Sequence, residues 1–384
     1  MKSGYIVLFV LLLYFLLQSC QIEDNAPSEP NTFPDIFESF WLNMNRNYVY
    51  WDIDSTDWDD IYKQYKPKFA VLERSSSEDM RKSVTYFENM TKTLIDGHFE
   101  INFVPNEISS FRINPLYNRK KETDTLYSFS YLLNDTIYLD SNFKLGYDHV
   151  NVKHSSPLIA VCGLIQDQII YFSCNYFGIT NSYYKNPNGG IRETLNHFID
   201  LVNDEKREYK GVIIDVRNNP GGDVVDLGFI LGNLIDRPLH IGYSQYKRGY
   251  GRLEYTDWIE TYILPNPNQT TTNIPVTVLA DRNSASLAET VVMSIKAMPN
   301  GTFLGEKTWG ASGPIVDHDI YIGGSFEVGT FMKVRMSTCK VKSIEHTIFE
   351  GVGIYPDIYI PHSIDDYSVG RDTQLEKALE LLLK

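Results

Sequence analysis

The chain has 384 residues, a formal net charge of −14 and an aromatic complement that includes 26 tyrosines and 20 phenylalanines. No strongly basic run of lysine and arginine is present to neutralise phosphates, which excludes nucleic acid as a partner. With the N-terminal segment set aside, about 350 residues remain, enough for one large domain or two smaller ones with a substantial core. Cys162, Cys174 and Cys339 show neither CxxC pairing nor metal-ligand spacing and read as buried structural residues, with a Cys162–Cys174 pair as the alternative in an oxidising compartment.

In chain order, the first signal is a leader. Met1-Lys-Ser-Gly is followed by an apolar stretch from Tyr5 to Leu17 and then Gln18-Ser19-Cys20, the pattern of a secretory signal peptide. The stretch is too short to span a membrane comfortably. Leu17-Gln-Ser-Cys20 resembles the bacterial lipoprotein processing box, which implies removal of residues 1–19, lipidation of Cys20 and a soluble domain anchored to the membrane of the bacterial cell envelope, periplasmic or at the cell surface. An ordinary cleaved signal is the alternative. Residues 20–32 are polar, acidic and proline-bearing, and predict a flexible tether.

Residues 33–99 predict a small helical bundle. Ile36, Phe37, Phe40, Trp41 and Met44 recur at helical spacing behind Pro34, a residue tolerated in a first turn. Trp58, Ile61, Tyr62 and Tyr65 follow a cap at Thr56 or Asp57, and Met80, Val84, Phe87, Met90 and Leu94 follow Ser75 with Glu78 as a capping box. Gly97 is the expected stop of the third helix, with His98 just beyond it. Residues 100–157 predict a β-rich connecting segment, with strands over 125–131 and 135–140. Residues 158–384 predict the core, in which strands and helices alternate. Expected strands cover 158–162, 168–174, 211–215, 276–280 and 302–305; expected helices cover 191–202, 224–235 and 287–295. Such alternation implies an α/β fold with a mostly parallel sheet. Further alternating runs at 319–322 and 326–336 predict an antiparallel extension, and 373–383 a closing helix.

Two loops of this core carry chemistry. Asp281-Arg-Asn-Ser-Ala-Ser-Leu-Ala-Glu289 joins an apolar strand to a helix, so Ser286 is expected at a helix N-terminus, where free N–H groups and the helix dipole stabilise developing negative charge. That suits a nucleophile; the alternative is that Ser284 or Ser286 only caps the helix, with Glu289 in its first turn. Asp215-Val-Arg-Asn-Asn-Pro-Gly-Gly-Asp223 lies at the carboxyl end of a buried strand, where open α/β sheets place ligands, and its adjacent glycines let N–H groups approach a bound oxygen. A purely structural turn is the other reading. Arg217 is expected to brace this loop.

Together with Gly305-Glu-Lys-Thr-Trp-Gly310 and Gly351-Val-Gly-Ile-Tyr-Pro-Asp357, these segments resemble, in this order, the S41 family of serine peptidases, which holds the C-terminal processing and tricorn core peptidases. The resemblance covers about 158–360. It implies a ClpP/crotonase-like core, Ser286 as nucleophile, and an oxyanion hole built from the N–H of Leu287 and of Gly221 or Gly222. Processing peptidases carry a general-base lysine just after the Gly-Glu-x-Thr-x-Gly segment; here that position is Ala311, and Lys307 lies about four residues early. The tricorn-like branch takes its base from a histidine of an N-terminal helical region, which implies His98, with a supporting serine of unassigned position and a glutamate that corresponds to Glu350, or less well to Glu345. A neutral imidazole within reach of a serine hydroxyl can accept its proton.

No PDZ domain is recognisable between His98 and the core, so tail specificity is not implied. The remaining histidines lack an HExxH-like arrangement, and no metal or cofactor is implied. The resulting expectation is a lipid-anchored serine endopeptidase with peptide or protein substrates. The alternatives are a catalytically silent relative that binds peptides or apolar ligands, and a crotonase-like acyl enzyme.

Overall fold

Thr32 opens the first helix, α1 (Phe33–Asn47), by accepting from the Asp35 N–H while the Asp35 carboxylate reaches back to the Thr32 N–H. The computed structural model of the protein describes residues 29–123, 131–149, 156–267, 274–316 and 322–384; the leader, Cys20 and the expected strand over 125–131, apart from Tyr131, lie outside them. Helix α2 (Trp58–Phe69) starts at Asp57, and α3 (Ser77–Thr91) at Ser76, whose side chain accepts from the Asp79 N–H. The expected Ser75–Glu78 capping pair is therefore displaced by one residue. Helix α3 also ends at Thr91 rather than at Gly97, because residues beyond it are drawn into a buried turn described below.

Phe33, Phe37, Phe40, Phe69 and Phe87 are fully or almost fully buried together, each contributing roughly 1.5–3 kcal/mol relative to exposure. The helices do not close this core alone. Strand β1 (Glu100–Phe103) pairs on one side with β2 (Arg112–Ile113) and on the other with a hairpin from far along the chain, and Phe331, Met332 and Val334 of that hairpin enter the same cluster. Between this region and the core lie α4 (Pro115–Thr123), α5 (Tyr131–Asn134) and β3 (Lys144–Asp148). The strand expected over 135–140 is instead a 3₁₀ turn, Asp135–Tyr138, bent so that Asp135 can bury its carboxylate against Arg217.

The core begins with β4 (Leu158–Ile165), β5 (Ile169–Cys174), α6 (Ile179–Lys185), α7 (Gly190–Val202), β6 (Gly211–Asp215) and α8 (Val225–Leu231). It continues through β7 (Leu239–Tyr246), β8 (Ile259–Ile263), β9 (Val276–Ala280), α9 (Leu287–Ala297) and β10 (Gly301–Gly305). The hairpin β11 (Phe326–Val328) and β12 (Met332–Arg335) follows, then β13 (Cys339–Ser343), β14 (Ile358–Tyr359), α10 (Ile364–Ser368) and α11 (Thr373–Leu382).

Seven strands form one sheet in the order β14-β10-β9-β6-β5-β4-β3, parallel from β14 to β5 and antiparallel beyond it. β6 and β9 read as continuous apolar runs because both faces are covered. Helices α7 and α9 cover one face, and α11 inserts Leu375, Leu379 and Leu382 against the other. A separate three-stranded sheet, β13-β7-β8, has no counterpart in the sequence reading. Cys162 and Cys174 lie opposite Phe172 and Ala160 on neighbouring strands and are both free thiols, so the alternative of a disulfide between them is set aside. Among the described residues no helix is long and apolar enough to cross a membrane.

Candidate active site

The parallel register sets β6 beside β9, so their carboxyl ends deliver the 215–223 loop and the 281–286 turn to the same edge. Ser284 is consumed in joining them: its hydroxyl is buried and donates to the Val216 carbonyl at 2.7 Å. Asn218 N–H donates to Asp281, and Ala285 N–H to the Asn219 carbonyl. Ser286 then occupies the N-cap of α9 with φ 56° and ψ −121°, a conformation that a residue bearing a Cβ adopts only when its surroundings enforce it. What enforces it is Glu289. Its buried carboxylate accepts from Ser286 N–H at 3.2 Å, Thr308 Oγ at 2.6 Å, Gly310 N–H at 2.7 Å and Ala311 N–H at 2.7 Å. One carboxylate thus binds the serine turn to the segment after β10.

The glycine loop closes over the same serine. A Cβ added to Gly221, at φ +95°, would stand 2.6 Å from Ser286 Cβ and 2.7 Å from Leu287 N, so only glycine permits this approach. The Gly221 N–H is already donated to Asn219 Oδ1 at 2.8 Å. The N–H groups of Gly222 and of Leu287, the first residue of α9, have no acceptor among the described residues, which makes Gly222 rather than Gly221 the glycine with a donor to offer. Arg217 braces the loop from behind: its fully buried guanidinium contacts Asp135 at 2.8 Å, Asp215 at 2.5 Å and Asp372 at 2.7 Å and lies over the Tyr131 ring.

The N-terminal half reaches this edge through the 96–98 turn. Gly97 is pressed against Ala311, where an added Cβ would meet Ala311 Cβ at 2.6 Å, and its N–H donates to Glu350 at 2.7 Å. Glu350 also accepts from Ser312 Oγ at 3.0 Å and Gly313 N–H at 2.8 Å. His98 is held by a bond between its ring and the Gly313 backbone, while Nδ1 is buried and without a partner. Glu350 therefore fixes the imidazole through the backbone on both sides of it, at Gly97 and Gly313. Lys307, the nearest lysine in the sequence, extends over the exposed Tyr355 ring at 5.3 Å; Glu345 is exposed.

Burial dominates the electrostatics here. It holds the His98 imidazole down at about 4, aided by the positive charge of Arg335, so the ring is neutral across the neutral range. It pushes the Glu350 carboxyl up to about 8, with the nearby Asp96 charge adding to the effect, and the Asp96 carboxyl up to about 6. Donor atoms of Asp96, His98 and Glu350 lie within 4.8 Å of one another. The carboxylate oxygens are engaged by N–H and O–H donors, which is the environment of a hydrogen-bonded acid cluster rather than of a cation site.

With this geometry in hand, the comparisons with known proteins show what the chain resembles. Peptidase family S41 matches residues 177–360, and the tricorn protease C1 domain matches residues 30–78. Over residues 177–360 the chain is similar to peptidase family S41. It is 29% identical to the tricorn protease of Thermoplasma volcanium over 201 residues, which are 52% of this chain and 17% of that protein. It is 25% identical to the carboxyl-terminal-processing protease of Synechocystis sp. over 181 residues, 46% of this chain and 38% of that protein. The matched stretches thus span well under half of either relative. A presumed peptidase of Parabacteroides merdae has a solved structure that superimposes with a TM-score of 0.67 at 26% identity, covering 92% of this chain and 98% of the other.

The roles of four residues around the site are not legible in the sequence. Glu289 stands in the serine motif and in the first turn of its helix, and neither position marks it as the brace it forms. Ser312 follows Ala311 with no pattern to mark it, and it is the hydroxyl that donates to Glu350. Asp96 and Ser337 bond to each other across the molecule, a pairing that no local pattern announces.

Proposed function

We propose that this protein is a serine endopeptidase of the S41 type in which Ser286 attacks a peptide carbonyl and His98 first accepts and then returns the proton. The observation that carries this reading is the continuous path from a strained Ser286, through Glu289 to Ala311, and from Ala311 to Gly97, the residue before His98. The unpartnered Nδ1 of His98 is the nitrogen able to take the hydroxyl proton. Collapse of the tetrahedral intermediate expels the amine, which receives that proton, and leaves an ester on Ser286 that water hydrolyses by the same route. N–H groups of Leu287 and Gly222 hold the oxyanion at the positive end of α9. Glu350 positions His98 and, when ionised, stabilises the imidazolium. Desolvation lowers the basicity of the half-buried imidazole, and an ionised Glu350 counters that effect.

Peptides or proteins are the substrate class, and the cell envelope, with a lipid anchor at Cys20, is the location in this reading; the leader pattern supports it. Ala311 in place of a lysine favours a second reading, a silent relative that only binds peptides. Hydrolysis of an unfolded protein such as casein by the wild-type chain and by Ser286→Ala separates the two: turnover lost in the variant supports the peptidase, and no turnover in either supports the binder.

A further inference from the structure

Asp96, within the His98 turn, and Glu350, from far along the chain, both bury their carboxyl groups beside His98. Asp96 accepts from His98 N–H, Ser337 N–H and Ser337 Oγ, each at 2.9 Å. Glu350 accepts from Gly97 N–H, Ser312 Oγ and Gly313 N–H. Oxygens of the two lie within 4.8 Å of each other and of an imidazole nitrogen. The other titratable groups facing the cluster do not neutralise it. From the α1–α2 connection come Tyr48, whose hydroxyl donates to Asp54 at 2.6 Å, and Tyr50, whose hydroxyl lies by Ser337. Cys339 of β13 and Glu289 of α9 face it as a thiol and a further carboxylate. The positive charge of Arg335 acts on His98. Two carboxylates this close, without a cation bonded to either among the described residues, resist simultaneous ionisation and titrate as a unit.

We propose that Asp96 is a positioning residue which shares one proton with Glu350, and that release of this proton, not of one from His98, opens the pH range in which Ser286 reacts. The proposal rests on the peptidase reading of the site. Bonding and charge assign the roles: three donors to Asp96 keep the turn before His98 in place, while its negative charge holds the proton on its neighbour. As pH rises the proton leaves the pair, Glu350 becomes an anion beside His98, and the imidazole gains the counter-charge it needs to accept the Ser286 proton.

Infrared difference spectra of the full chain, titrated from acid to alkaline pH, read the proton directly. A protonated carboxyl band present at neutral pH, diminished in Glu350→Gln and in Asp96→Asn, is expected; its absence from the wild type overturns the shared proton. The pH dependence of kcat/KM supplies the second readout. Asp96→Asn removes the like charge, so its acid limb is expected about one pH unit lower, a roughly tenfold gain relative to plateau on that limb. Ser312→Ala takes away a donor to Glu350 and so favours its neutral form; its limb moves the opposite way, and this variant serves if Asp96→Asn fails to fold. A uniform loss at every pH with unmoved midpoints reduces Asp96 to a structural role and overturns the proposal. A wild-type chain without turnover defeats the peptidase reading instead, and the infrared band still decides the shared proton.

Discussion

Glutamine in place of Glu289 changes one atom and tests the central brace of the site. The native carboxylate has two acceptor oxygens: Oε1 takes Thr308 Oγ and Gly310 N–H, and Oε2 takes Ala311 N–H and Ser286 N–H. An amide can accept on one side only, so one pair of donors loses its acceptor and faces an NH₂ group. Bonds to a charged acceptor contribute about 1.5–3 kcal/mol each, so two cost about 3–6 kcal/mol. Burial already raises the Glu289 carboxyl, and relief of that buried charge offsets part of the loss, leaving about 2–4 kcal/mol. Urea unfolding followed by circular dichroism measures this term. Under conditions where the variant is still folded, loosening of the Ser286 turn is expected to slow fluorophosphonate labelling by about 100-fold, the effect of a displacement of roughly 1 Å in a reacting group. Stability within about 0.5 kcal/mol of wild type together with an unchanged labelling rate would refute the role given to Glu289.

Other outcomes follow from the same geometry. Gly97→Ala is expected to push the 96–98 turn off Ala311, costing about 1–3 kcal/mol and at least tenfold in kcat/KM; a folded variant with full kcat/KM would contradict the packing argument. Arg217→Met strands the buried carboxylates of Asp135, Asp215 and Asp372 and should lower unfolding free energy by about 3–5 kcal/mol in urea titrations, whereas an unchanged midpoint would deny the brace. Burial raises the Glu350 carboxyl from 4.5 to about 8, so the stability associated with its neutral form is present in acid and fades as pH rises between those values. Glu350→Gln should flatten that part of the stability profile, and an unaltered slope would remove Glu350 as its source.

The alternation of apolar strands and periodic helices from Leu158 onward made the core legible, because burial on both faces leaves strands such as Gly211–Asp215 with no polar residue before the last. Ser286 was legible for a related reason: strand, turn and helix are contiguous, so the cap position is a local property. What stayed hidden depends on pairings between distant residues. Gly97 and Glu350 are 253 positions apart, and Asp96 and Ser337 are 241 apart, so neither bond leaves a periodic trace. The β7-β8-β13 sheet is similar: its strands are mixed in burial, and β13 joins from far along the chain. The 3₁₀ turn at Asp135 carries β-favouring residues, Thr136, Ile137 and Tyr138, yet burial of one aspartate against Arg217 overrides their preference. Among the oxyanion candidates the glycines were evident, but Gly222 is separated from Gly221 only by the side chain of Asn219, which turns inward and takes the Gly221 N–H.

The most direct measurement is the rate and site of covalent labelling by a fluorophosphonate, mapped by peptide mass spectrometry in the wild-type chain and in His98→Ala. The account predicts a single adduct on Ser286 in the wild type and labelling slower by several orders of magnitude when the imidazole is removed. An adduct on another residue, or equal rates in the two proteins, would contradict it.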